Sequence, residues 1–230
     1  MKIAENVEML EVVLPNGNIY RPTLTWDDKH LVLFDTSVPD SGKLVADAIK
    51  AAGFDASNLT DIIFTHQDID HIGGARELLA LAPNAVTYAH EVDAPFIEGQ
   101  KTPTKLARQE ARLAASEIDE TDGFYQMLKR GFAIAHLPVD VKLKGGDVLD
   151  FCGGIETVFT PGHIPGHAAF YLHSSKLMVC GDAANIADGQ LTGSNPAMTW
   201  DKLKAEQSLE KIKSYDMTGA ITYHSGFLKF

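Results

Sequence analysis

The sequence predicts an α/β fold of four layers, two sheets facing each other with helices outside each. Three observations predict it. Short apolar runs alternate with helix-patterned stretches along the chain, the order expected of strand–helix units. Four of those runs end in a histidine or a carboxylate cluster, so several strand ends aim side chains at one crevice between the sheet edges. The 230 residues are 45% hydrophobic, enough to bury one full core, so residues 1–230 read as one domain.

In order, 7–14, 20–26 and 31–35 read as strands, with Pro15-Asn16-Gly17-Asn18 turning the chain between the first two. A helix over 43–52 is ended by Gly53, a strand over 61–65 follows, and a helix over 74–81 stops before Pro83. Residues 86–90 form a further strand ending in His90, which could line the crevice or face solvent. The segment 95–135 differs in texture. Residues 104–116 are rich in Ala, Leu, Arg and Glu and should be helical, and 119–122 is acidic and turn-like. Phe124, Tyr125, Met127, Leu128 and Phe132 then form an apolar stripe. Helical spacing leaves open whether it lines a pocket or packs on the core or on a second subunit. Three more apolar runs lead into His163 and His167, into Asp182, and into His224, and a charged helix carries Lys202, Lys204, Lys211 and Lys213 interleaved with acids.

The stretch from Thr65 to Gly74 carries most of the chemistry. His66, Asp68, Asp70 and His71 place four good metal ligands within six residues, directly after Ile62-Ile63-Phe64. Imidazole with carboxylate suits zinc, iron or manganese, whereas carboxylates alone would suggest calcium or magnesium. A lone His at a strand end is more often a hydrogen-bonded core residue. Four ligand-bearing strand ends in one chain are hard to credit to chance. His30, His136 and His173 show no such spacing and read as structural.

These motifs resemble the metallo-β-lactamase superfamily over nearly the whole chain, with the first motif in a variant His-x-Asp-x-Asp-His form. The resemblance implies an αββα sandwich and two divalent metal ions, zinc first, with manganese or iron as alternatives. It implies one site of His66, Asp68 and His163, a second of Asp70, His71 and His224, and a bridging Asp182. Asp68 stands where the family has a second His, so either it binds metal directly or through water, or it only supports a weaker first site. Asp35 and His167 would support the ligands from behind. Asn185 stands where lactonase relatives place a Tyr, three residues beyond the bridging Asp.

The function so implied is hydrolysis of a small ester, lactone or thioester by a metal-activated hydroxide, with Asp70 orienting it and moving its proton. In relatives, the segment matching 95–135 forms a lid or pocket wall. Two alternatives stand beside this reading. One is a di-iron redox protein resembling the metal domain of flavodiiron oxidoreductases, which would need a flavin from a separate partner. The other is a silent binding protein of the same fold. By analogy with short members, a homodimer is expected.

Composition narrows the partners. A net charge of −11 with scattered basic residues argues against nucleic acid, so the expected partner is a small molecule. No stretch approaches the roughly 20 apolar residues of a membrane span, and no signal peptide is visible. Two cysteines, Cys152 and Cys180, read as buried free thiols, which makes the cytoplasm the default expectation.

Overall fold

The computed structural model describes residues 1–230. One sheet has seven strands in the order Lys2–Ala4, Val7–Met9, Thr23–Trp26, Leu31–Phe34, Asp61–Ile63, Val86–His90 and Val141–Leu143. Its first four strands pair antiparallel, and the last four form a parallel run. The other sheet has six, in the order Val148–Leu149, Ile155–Phe159, Ala168–Leu172, Leu177–Val179, Gly219–Thr222 and Gly226–Lys229.

Alternation along each strand builds the four layers. Val32, Phe34 and Ile63 of the first sheet pack against Ala168, Phe170 and Leu172 of the second, forming the core between sheets. Their neighbours Leu31, Leu33, Ile62 and Phe64 point the other way, into helices Gly42–Ala51, Ala75–Leu81, Thr104–Ala114 and Gly123–Ala135. On the far side, Ala169, Tyr171 and Met178 meet Ile212 of helix Lys202–Lys213. Nearly every residue of these strands is buried because helices or a sheet cover both faces.

Local chemistry sets the ends. Helix Gly42–Ala51 closes when Gly53 adopts φ +94°, letting Gly53 N–H reach Lys50 O and Phe54 N–H reach Ile49 O. Asp122 accepts from Tyr125 N–H at 2.9 Å and caps helix Gly123–Ala135.

The predicted strands 7–14 and 20–26 are each broken. Val7–Met9 and Thr23–Trp26 stay in the large sheet, whereas Val12–Val13 pairs with Ile19–Tyr20 in a separate ribbon. Pro22 explains the break, since it has no N–H for the ladder, although its carbonyl still accepts from Leu10 N–H at 2.9 Å. The predicted strand 31–35 ends at Phe34, because Asp35 turns to φ +62°. A helical turn Ile69–Ile72 precedes helix Ala75–Leu81. Cys152 and Cys180 are buried free thiols, and no helix is long and apolar enough to cross a membrane.

Phe170 is fully buried, its ring 5.4 Å from that of Phe34 across the two sheets. Phe170→Ala should therefore destabilise the fold by about 3–5 kcal/mol, read as a lowered denaturant midpoint with little change in slope.

Candidate metal centre

Strands Ile155–Phe159, Leu177–Val179 and Gly219–Thr222 run in one direction in their sheet, and four parallel strands do so in the other. The loops after these strands meet at one edge of the sandwich and bring His66, Asp68, Asp70, His71, His163, Asp182 and His224 together. His66, Asp68, His163 and Asp182 offer one atom each within 4.8 Å of one another, as do Asp70, His71 and His224.

Asp182 faces both groups. Its Oδ2 lies 3.3 Å from His163 Nε2, while its Oδ1 lies 3.1 Å from His224 Nε2 and 3.4 Å from His71 Nε2. Asp70 Oδ2 lies 3.5 Å from His224 Nε2 and 3.9 Å from His71 Nε2. Asp68 Oδ2 lies 3.0 Å from His66 Nε2 and 2.9 Å from His163 Nε2.

The candidate ligands are held from behind. Asp35 accepts Thr65 N–H on Oδ1, and on Oδ2 it accepts both the Thr65 hydroxyl and His71 Nδ1–H, each at 2.8 Å. With its hydroxyl proton committed to Asp35, Thr65 Oγ1 accepts from His66 Nδ1–H at 2.9 Å. Both rings are thereby set with Nε2 toward the site. His167 is not a ligand. Its Nε2 accepts Asp182 N–H at 3.0 Å, which assigns the ring proton to Nδ1, 2.9 Å from Thr160 Oγ1. Gly181 makes this approach possible: it sits at φ +51°, and a Cβ there would come 2.7 Å from His167 Nε2. Asn185 makes no hydrogen bond to a candidate ligand side chain. It donates to Gly193 O at 3.4 Å and accepts from Ser225 Oγ at 3.0 Å, beside the cavity.

Electrostatics call for positive charge here. Burial opposes charge on His71, yet the carboxylates of Asp35, Asp182 and Asp70 outweigh it and raise its pKa well above the usual histidine value. Burial and the neighbouring His71 push His66 down to about 4. Burial likewise holds His167 neutral. Buried Asp68 Oδ1 and Asp182 Oδ1 have no hydrogen-bond partner. Orphaned acceptors of this kind are costly unless a cation meets them, so the residues present fit divalent metal ions.

Lys105, Gln67 and Asp93 were not singled out by the sequence. Lys105, on helix Thr104–Ala114, brings its ammonium onto Asp68 Oδ2 and to 3.2 Å from His163 Nε2. Fully buried Asp93 accepts Gln67 N–H at 2.6 Å and its amide at 2.8 Å, and Gln67 Oε1 accepts Thr104 N–H at 2.6 Å. This chain clamps the start of the helix that carries Lys105. Gln67 fills a variable position of the first motif, and Lys105 and Asp93 belong to no spaced motif. The remaining histidines lie elsewhere: His90 stacks on Phe159, His30 pairs with Asp61, His173 with Glu156, and His136 meets Ile97 O.

A cavity of about 350 Å³ opens on the candidate ligands. Phe124, Met127 and Leu128 of helix Gly123–Ala135 form part of its wall, with Tyr20, Ile69 and Met198 completing an apolar surface around Asp70, His163 and His224.

Comparison with known proteins agrees with this geometry. Residues 21–217 match the family model of the metallo-beta-lactamase superfamily. A probable metallo-hydrolase, YflN, of Bacillus subtilis (strain 168) is 24% identical over 223 residues, covering 90% of this chain and 80% of the relative. A hydroxyacylglutathione hydrolase of Synechococcus sp. (strain JA-2-3B'a(2-13)) is 30% identical over 127 residues, 55% of this chain but only 35% of that relative's length. The crystal structure of a metallo-beta-lactamase family protein from Thermus thermophilus superposes with a TM-score of 0.77 at 20% identity, covering 99% of this chain and 76% of that one.

Burial raises the Asp93 carboxyl to about 7, against the hydrogen bonds from Gln67 and with Asp68 adding to the rise. The folded state thus keeps a proton that the unfolded chain releases near pH 4. Asp93 therefore contributes stability that is lost as pH rises from about 4 to about 7, while the neutral burial of His66 and His167 contributes stability gained over the same range. Asp93→Asn should remove the falling contribution and make the slope of stability against pH more positive between about pH 4 and 7. Denaturant midpoints across this range, measured in chelator, test it through the slope and not through any constant offset.

Proposed function

The chain belongs to the metallo-β-lactamase superfamily, and from that membership we propose that it is a metal-dependent hydrolase of a small ester, lactone or thioester. The observation that carries the reading is Asp182, with one carboxylate oxygen facing each ligand group and Oδ1 left without a hydrogen bond. His66, Asp68, His163 and Asp182 would hold one ion, and Asp70, His71, His224 and Asp182 another. When bound, two divalent ions, zinc first and otherwise manganese or iron, supply Lewis acidity and a water that ionises near neutral pH.

The chain's own groups do the rest. Asp35 and Thr65 keep the two imidazoles aimed, and His167 holds the Asp182 backbone in place. The apolar wall of Phe124, Met127 and Leu128 takes the acyl portion and excludes bulk water. The water oxygen adds to the acyl carbon, and the bond to the leaving oxygen or sulfur breaks. Asp70, partly open to the cavity, takes the water's proton and returns it to the leaving group. A thioester is supported by the hydroxyacylglutathione hydrolase relative. A cavity of about 350 Å³ in an acidic protein suits a small molecule better than a nucleic acid.

A panel of aryl esters, acylated lactones and acyl thioesters tests the reading. Turnover is expected on at least one class, lowered about a hundredfold or more in Asp70→Asn and in His163→Ala. Turnover that survives both substitutions, or none on any class with metal loaded, would overturn it.

A further inference from the structure

We propose that Lys105 is a tethered cation of the first ligand group, making the two metal sites unequal: the second site fills first, and an ion enters the first only by displacing the lysine ammonium. The inference rests on the metallo-hydrolase reading and adds to it an order of loading.

Thr65 sets His66 with a bare Nε2, which lies 3.0 Å from Asp68 Oδ2, while His163 Nε2 lies 2.9 Å from the same oxygen. His66 Nε2 and Asp68 Oδ2 are both acceptors and cannot satisfy each other. The Lys105 ammonium lies on Asp68 Oδ2 and 3.2 Å from His163 Nε2. It therefore takes the cation's place in that group. An ammonium and a divalent ion a few ångströms apart repel strongly in so enclosed a site, so the two exclude each other.

Asp68 explains why a lysine is held here. The family motif has an imidazole at this position, which would not attract an ammonium, whereas the Asp68 carboxylate does. No lysine or arginine forms an ion pair with the Asp70 carboxylate, so the second group holds no tethered side-chain cation of this kind.

The side chain also has somewhere to go. Lys105 lines both the main cavity and an adjoining groove formed with Arg108, Gln109 and Met198. Its backbone stays clamped through Thr104 and Gln67, so only the flexible stem needs to move.

Zinc titration of the full chain by calorimetry, after chelator treatment and dialysis, tests the proposal. Two unequal steps are expected, the second weaker by about tenfold or more. Lys105→Met should tighten the second step by about tenfold and leave the first within about twofold. Asp68→His, which restores the family motif, should move it the same way. Two equal steps in the natural chain overturn the proposal while leaving the hydrolase reading intact, and so does a second step that Lys105→Met leaves unchanged. The natural chain decides the first point even if a variant fails to fold. No zinc bound at any concentration overturns both.

Discussion

The geometry of the site depends on one buried carboxylate. Asp35 leaves its strand at φ +62° and uses both oxygens at once, on Thr65 N–H, the Thr65 hydroxyl and His71 Nδ1–H. It thereby ties together the ends of two adjacent parallel strands. Through Thr65 it also orients His66, and through His71 it sets a ring of the other ligand group. Charge-assisted bonds to an enclosed carboxylate are strong and geometrically exacting. Loosening this one residue would free both imidazoles.

The second constraint is charge balance. Asp68 and Asp182 are buried at the same sheet edge, with Asp70 beside them partly open to the cavity, and carboxylates so close together are costly without compensation. The molecule supplies that compensation in two ways. His71 is driven toward its charged form by the surrounding carboxylates, against the cost of burial. Lys105 reaches in from a helix of the 95–135 segment to meet Asp68. The same segment provides Phe124, Met127 and Leu128 to the cavity, so one stretch of chain supplies both charge and an apolar wall.

Support extends outward in hydrogen-bonded chains. Tyr223 donates its hydroxyl to Asp70 O and accepts Ser37 N–H, so the residue before His224 also fixes the backbone of Asp70. Asp93, Gln67 and Thr104 link the first motif to the helix carrying Lys105. His167 links the loop of His163 to Asp182. Each link joins elements distant in sequence, which is how loops at a sheet edge are held to a single arrangement.

By itself the sequence determined the layers and the order of the candidate ligands along the chain. Strand alternation such as Leu31, Val32, Leu33 and Phe34 is local information, and a ligand placed just after an apolar run emerges at a strand end wherever that strand lies. Boundaries were legible only where a residue enforces them, as Gly53 does. The break at Pro22 was legible in principle but hidden by the apolar residues around it. Tertiary structure decided the rest: that Asp182 divides its oxygens between two groups, that His90 stacks on Phe159, and that Lys105 is drawn to Asp68. The reason is physical. A single lysine at a helix start has no period or spacing that marks it, and what its charge meets depends on how a helix from one segment packs over loops from several others.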